Sequence, residues 1–114
     1  MQPRIGKFSR YAGEDYHVEI TIYEKDEVTP QDITGWLLKY AFHPINDPID
    51  SVSKTTGSGI IHNLPYNVPP QATVTILAAD TANLTPGLYQ IRVERIDAGV
   101  DNVLYEGIFT LKRK

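Results

Sequence analysis

Two alternating apolar runs of this chain are joined by the stretch Ala79-Asp80-Thr81-Ala82-Asn83-Leu84-Thr85-Pro86-Gly87-Leu88-Tyr89. Asp80 and Thr81 are residues typical of helix caps, so a single short helical turn is expected near residues 79–84. Pro86-Gly87 then turns the chain, and Tyr89 opens the second run. A strand, a tight crossing between sheets and an early Tyr whose hydroxyl anchors that crossing are typical of a tyrosine corner. The stretch therefore predicts two packed β-sheets.

The rest of the chain consists of short strands separated by turns rich in Pro and Gly. The clearest strand is Tyr16-His17-Val18-Glu19-Ile20-Thr21-Ile22-Tyr23-Glu24, whose strict alternation indicates one buried and one solvated face. No segment outside residues 79–84 shows helical periodicity. About seven such strands fit either a sandwich or a small barrel. Trp36 and the predicted corner favour an all-β, immunoglobulin-like antiparallel sandwich.

The inward residues of the predicted strands form the expected core. In the last strand, alternation places Val103, Tyr105, Gly107, Phe109 and Leu111 on the inward face. A short polar edge strand is expected at residues 49–55. The core residues that we predict are Val18, Ile20, Ile22, Trp36, Leu38, Tyr40, Val74, Ile76, Tyr89, Ile91, Val93 and Phe109.

Length, charge and cysteine content limit the function classes. A chain of 114 residues fits one domain: residues 13–112 form the sandwich, and residues 1–12 form an extra strand or a contact arm. A net charge of −3 creates no field that attracts nucleic acid or an anionic membrane. The chain has no cysteine, no signal-peptide pattern and no apolar run near the roughly 20 residues of a membrane span. We expect a cytoplasmic protein, unless a larger particle carries it out.

The sequence contains no recognisable catalytic, cofactor or metal motif. His17, His43 and His62 are scattered without metal-ligand spacing. Gly57-Ser58-Gly59 precedes a strand, whereas a phosphate-binding loop precedes a helix. Asp97, Asp101 and Asn102 share one loop, where a plain hairpin turn is favoured and calcium binding stays open. We therefore predict no enzyme, no cofactor and no catalytic residue.

Exposed aromatic and proline residues are the candidate contact points. Tyr11, Tyr23 and Tyr66 could supply a sugar-stacking or protein-contact surface. Residues 1–11 and the proline loop at residues 63–71 lie outside the core pattern, so we expect both to contact other subunits. The predicted contact residues are Tyr11, Pro65, Tyr66 and Pro69.

An ordered series of short motifs resembles a known family. The motifs are Gly13-Glu14-Asp15, Asp32-Ile33-Thr34-Gly35-Trp36, Lys54-Thr55-Thr56-Gly57-Ser58-Gly59-Ile60, Ala72-Thr73-Val74-Thr75-Ile76, Ala79-Asp80-Thr81, Leu84-Thr85-Pro86-Gly87-Leu88-Tyr89 and Glu106-Gly107-Ile108-Phe109-Thr110-Leu111. In this order they are similar to the small immunoglobulin-like modules of tailed-bacteriophage and prophage virion proteins. The long loop at residues 63–71 and the segment at residues 1–12 depart from the usual module.

The resemblance implies a non-enzymatic phage structural protein, an assembly or adaptor subunit of the tail, baseplate or virion surface. Its partners would be other virion proteins or copies of itself, without nucleic acid or membrane. It would be located in the virion, or in the cytoplasm of the host bacterium before assembly. The alternative is a carbohydrate- or protein-binding β-sandwich module, with at most weak carbohydrate contact.

Overall fold

The computed structural model describes residues 2–4, 9–24, 26, 28–65, 68, 70–97 and 102–113, which form nine strands and one short helix. Alternating β-branched and aromatic residues form the longer strands, and Pro, Gly and Asx residues occupy the turns between them. The elements are β1 (Gln2–Arg4), β2 (Ser9–Tyr11), β3 (Tyr16–Tyr23), β4 (Leu38–Pro44), β5 (Val52–Thr56), β6 (Gly59–His62), β7 (Ala72–Ile76), α1 (Ala78–Thr81), β8 (Gly87–Arg95) and β9 (Asn102–Lys112).

The strands form one curled sheet in the order β1-β3-β7-β6-β5-β4-β8-β9-β2. Buried residues of β3, β6 and β7 join those of β4, β8 and β9 in a single core cluster, so the two halves of the sheet face each other as layers. One layer is β1-β3-β7-β6 and the other is β5-β4-β8-β9-β2. Antiparallel pairing dominates, and only β2–β9 and β5–β6 are parallel. This arrangement confirms the predicted immunoglobulin-like sandwich.

The chain passes from one layer to the other in the short connection between β5 and β6. Two residues, Gly57 and Ser58, separate these strands, which then pair in parallel over two positions. Gly59 has φ +100°, and a Cβ there would lie 2.6 Å from Cδ of Lys54. A glycine is therefore required at this step, because a side chain would meet both backbone strain and a steric clash.

The core contains all twelve of the residues that the sequence predicts, each at most 7% exposed. The core includes an aromatic group of Phe42, Tyr89 and Phe109. The ring centroids of Phe42 and Phe109 lie 5.0 Å apart at 85°, and those of Tyr89 and Phe109 lie 5.7 Å apart in a stack. These edge-to-face and stacked contacts fix the corner end of the sandwich.

Several elements differ in detail from the sequence prediction. β1 and β2 bring the strand number to nine, and β5 lies between β4 and β6 within the curled sheet rather than at an edge. Trp36 is buried but precedes β4. The prediction for Val103 is wrong, since its side chain is 51% exposed. A β-bulge pairs Val93 with Tyr105 but Glu94 with Val103, and the extra residue reverses the alternation.

Candidate functional site

The corner predicted at residues 79–89 is present in the structure. Tyr89 Oη donates a hydrogen bond of 2.6 Å to the carbonyl oxygen of Thr85. Burial raises the pKa of Tyr89, so its hydroxyl stays protonated and available as a donor. The fully buried Thr81 accepts the Gly13 N–H at Oγ1 over 3.0 Å. The tyrosine corner is thus confirmed, and a second bond fastens the turn before β3 to α1.

Asp80 connects α1 with the opposite layer. Its Oδ2 accepts the Leu77 N–H at 2.7 Å and lies 2.9 Å from Nζ of Lys54 in β5. Burial opposes ionisation of Asp80, but the bonds from Lys54 and Leu77 outweigh it and hold the pKa of Asp80 below its usual value. The Ala78 N–H is also bonded, at 2.6 Å, to Oδ1 of Asp15. These carboxylates accept hydrogen bonds from the backbone N–H groups at the start of α1, so their role is structural.

A charged network covers the outward face of β4 and β8. Oδ2 of Asp50 lies 2.9 Å from Nη2 of Arg92 and 3.8 Å from Nζ of Lys39. Nε of Arg92 is 2.9 Å from Oε1 of Glu94. Hydrogen bonds to Asp50 and then Glu94 raise the pKa of Arg92 above its usual value. Ala41 lies on this outward face but is only 1% exposed. The charged side chains of the network therefore shield part of the face from solvent.

A cleft of about 400 Å³ opens at the end of the sandwich away from the corner. Thr56 Oγ1 accepts the Leu38 N–H at 2.9 Å and lies 3.0 Å from Nε2 of His62. Burial lowers the pKa of His62, and the negative charge of Asp97 opposes that shift. The neutral ring can therefore accept the Thr56 hydroxyl proton, which joins β4, β5 and β6. The lining residues are Gly35, Trp36, Leu37, Thr56, Gly57, Ile60, Ile61 and His62.

The proximity of Thr56, His62 and Asp97 invites comparison with a nucleophile triad. Within the described residues, the carboxylate of Asp97 is bonded to the Leu37 N–H and to Arg95, the latter at 2.7 Å. Arg95 in turn lies 4.0 Å from the ring centroid of Trp36. Asp97 therefore holds Arg95 beside Trp36, and Thr56 Oγ1 accepts the Leu38 N–H while it lies within hydrogen-bond distance of His62.

A second groove, of about 480 Å³, runs along β9 and is lined by Gln90, Tyr105, Glu106, Gly107 and Ile108. A Cβ at Gly107 would lie 2.7 Å from Cε2 of Tyr105, so the absence of a side chain lets the Tyr105 ring lie over this position. Nε2 of Gln90 donates to Oε2 of Glu106 at 3.1 Å. Ile108 is 51% exposed beside this pair. The groove combines apolar surface with one carboxylate.

Sequence comparisons assign this chain to no family: no protein-family model and no curated protein matches it. The structure of murine CRIg is similar over 99% of this chain and 97% of that chain, with 12% identical residues and a TM-score of 0.47. The structure of Dpr1 IG1 bound to DIP-eta IG1 is similar over 100% and 97%, with 14% identity and a TM-score of 0.40. Similarity at this level concerns the fold and carries no functional assignment.

The two predicted contact residues that the structure describes, Tyr11 and Pro65, lie at opposite ends of the sandwich. Tyr11 is 44% exposed at the corner end, with Nζ of Lys112 at 5.9 Å from its ring centroid. Pro65 lies in the exposed loop after β6, at the opposite end, and Tyr23 ends β3 there too. Tyr11 and Tyr23 therefore form no joint stacking platform. The predicted contacts Tyr66 and Pro69 lie outside the described residues.

The predictions about metal ions concern the three His residues and the loop with Asp97, Asp101 and Asn102. Among the described residues, no group of three or more His, Cys, Asp or Glu could hold a metal ion. His17 lies on the outer face of β3, 3.2 Å from Oγ1 of Thr75. Asp101, in the loop for which a hairpin turn was favoured and calcium binding stayed open, lies outside the described residues. In the part of the chain that is described, no helix has the length and apolar character needed to cross a bilayer.

Proposed function

We propose that this chain is a non-enzymatic structural subunit of a tailed-bacteriophage virion, which acts by binding protein in the tail, baseplate or virion surface. The ordered motifs of the sequence supply the virion part of this proposal. The geometry supports the protein-binding part. No step of the role requires a cofactor or a reacting side chain.

The supporting observation is the exposed apolar surface of β8 and β9. Leu88 is 49% exposed and Ile108 is 51% exposed. In the register of the two strands Leu88 faces Thr110 and Ile108 faces Gln90, so Leu88 and Ile108 are diagonal neighbours on one face. Ile45, 44% exposed, joins Leu88 through a backbone hydrogen bond of 3.1 Å. Adjacent exposed apolar residues of this kind are typical of protein contact surfaces.

Composition of purified particles tests the proposal. Particles from the source phage or induced prophage would be purified and analysed by mass spectrometry, then labelled with antibody against this chain. We expect the chain at a constant ratio to the major tail proteins, with label on the tail or baseplate. Complete particles that lack the chain would contradict the proposal.

Complementation identifies the contact face. The double variant Leu88→Ser/Ile108→Ser should fold but fail to enter particles when it is supplied in place of the natural chain. The matched control is Ile49→Ser/Ile61→Ser, because both of these residues are also highly exposed, at 73% and 67%. Equal incorporation of the two double variants would exclude the β8–β9 face.

A further inference from the structure

A groove of about 350 Å³ opens at the corner end of the sandwich, between the β4–β5 loop and the segment that leads into β8. We call it the corner groove. Its apolar wall includes Ile45 and Leu88, which are 44% and 49% exposed. No described residue that lines it carries a charge. The corner groove therefore suits an uncharged ligand with an apolar part, because a buried charge would find no partner there.

The polar side chains of the corner groove are available to a ligand. Asn46, Ser51, Asn83 and Thr85 line it, and none of these side chains forms a hydrogen bond with the described residues. Amide and hydroxyl groups can each donate and accept a hydrogen bond. A peptide backbone presents the same combination, one donor and one acceptor per residue. The corner groove therefore matches an uncharged peptide segment that carries an apolar side chain.

The chain itself contains an exposed segment of this chemistry. Residues 55–79 include no Asp, Glu, Lys or Arg. Within this stretch Leu64 and Pro65 are exposed in the loop after β6, and Leu64 is 75% exposed. The proline restricts the free segment, so less conformational entropy is lost on binding. The segment lies at the end opposite the corner groove, so only a second copy can bring the two together.

We propose that the corner groove of one copy binds the Leu64–Pro65 segment of a second copy, so that copies associate head to tail. This proposal rests on the assembly role proposed above and names a contact for it. Leu64 loses its solvent contact against Ile45 and Leu88 of the next copy. The two surfaces differ, so the contact is heterologous and repeats into a closed ring or an open row of copies.

A complementary pair of variants tests the head-to-tail geometry. Leu64→Asp removes the segment and Ile45→Asp removes the apolar wall of the corner groove, so each variant alone should associate at least about 10-fold more weakly. An equimolar mixture should form a dimer and stop there, because each variant retains the surface that the other lacks. Asn83→Arg, which fills the corner groove, is a second groove variant in case Ile45→Asp does not fold. Val28→Asp is the matched control, because Val28 is 76% exposed and follows β3 at the same end as Leu64.

Sedimentation velocity of the full chain over a wide concentration range measures these effects, and thermal unfolding confirms that each variant folds. We expect reversible association of the natural chain and of Val28→Asp, weak association of each single variant, and a dimer in the mixture. A natural chain that is monomeric at every concentration would overturn the proposal. So would undiminished association of Leu64→Asp, as in a two-fold contact between grooves, or a mixture that stays monomeric. Particle composition is measured separately, so failure of this contact is distinguishable from failure of the virion role.

Discussion

Gln71 provides the sharpest test of how this fold is held together, because it is a fully buried polar side chain that completes a sheet. β7 pairs with β3 only from Tyr16 to Ile20, and the ladder then continues through the side chain of Gln71. Oε1 of Gln71 accepts the Ile22 N–H at 2.6 Å, and Nε2 donates to the carbonyl oxygen of Gln31. One amide therefore satisfies two backbone groups, one of which belongs to a residue with no solvent exposure.

Gln71→Met keeps the volume of the side chain and removes both hydrogen bonds. Each buried backbone group left unpaired costs about 1–3 kcal/mol. The carbonyl of Gln31 should cost an amount at the lower end of this range, because Gln31 is only half-buried. We therefore expect the free energy of unfolding to fall by about 2–4 kcal/mol. At about 4 °C per kcal/mol for a domain of this size, Tm should fall by about 8–16 °C. Urea and thermal unfolding measure both quantities. A loss below about 0.5 kcal/mol would refute the assigned role.

Gln71→Glu adds a pH signature that packing alone cannot produce. A protonated Glu can donate to Gln31 and accept from Ile22, whereas a buried carboxylate can only accept. The folded-state pKa of this Glu is therefore raised above its unfolded value of about 4.3. Its stabilising contribution is present below that value and is lost as pH rises towards the folded pKa, at up to about 1.4 kcal/mol per pH unit. The deficit relative to the natural chain should grow with pH for Gln71→Glu and stay constant for Gln71→Met. Parallel pH profiles for the two variants would refute the reasoning.

Three further substitutions test the corner, the core and the cleft. Tyr89→Phe should lower the free energy of unfolding by about 1–3 kcal/mol, because the Thr85 carbonyl loses its hydrogen-bond donor. An unchanged free energy in chemical unfolding would show that this bond does not stabilise the fold. Trp36→Ala should cost about 3–5 kcal/mol through lost packing and lost stacking with Arg95, and a Tm within a few degrees of the natural chain would contradict it. Burial lowers the pKa of His62, so its contribution is present above about pH 6.5 and is lost as pH falls through the folded pKa. His62→Gln should therefore flatten the decline of Tm between neutral and acidic pH, and an unchanged slope would exclude His62 as its source.

The sequence predicted those parts of the fold that depend on local alternation. β3 alternates without interruption, so burial of Val18, Ile20 and Ile22 follows from a period of two. Val103 was misplaced because that rule assumes an unbroken ladder, and one inserted residue inverts every side chain beyond it. A bulge depends on the partner strand, and the sequence of β9 alone contains no sign of it.

The polar contacts could not be predicted, because each joins residues that are far apart in sequence. Gln71 follows two prolines and looks like the end of a loop, yet it is fully buried against a strand about fifty positions earlier. Thr56 and His62 are separated by a glycine-rich turn that suggests a flexible connection, yet they share a hydrogen bond. Residue type indicates that a buried polar group needs a partner, but only the tertiary structure supplies it.

The distribution of charge favours the exposed apolar residues of β8 and β9 as the contact surface proposed above. Carboxylates of the same chain are bonded to Lys39, Lys54, Arg92 and Arg95. A partner that used these charges would have to break one ion pair for each pair that it formed, so the exchange would add little to the binding free energy. The exposed apolar side chains of Leu88 and Ile108 require no such exchange. Binding there would add contacts without rearranging the sandwich, which is what the proposed structural role requires.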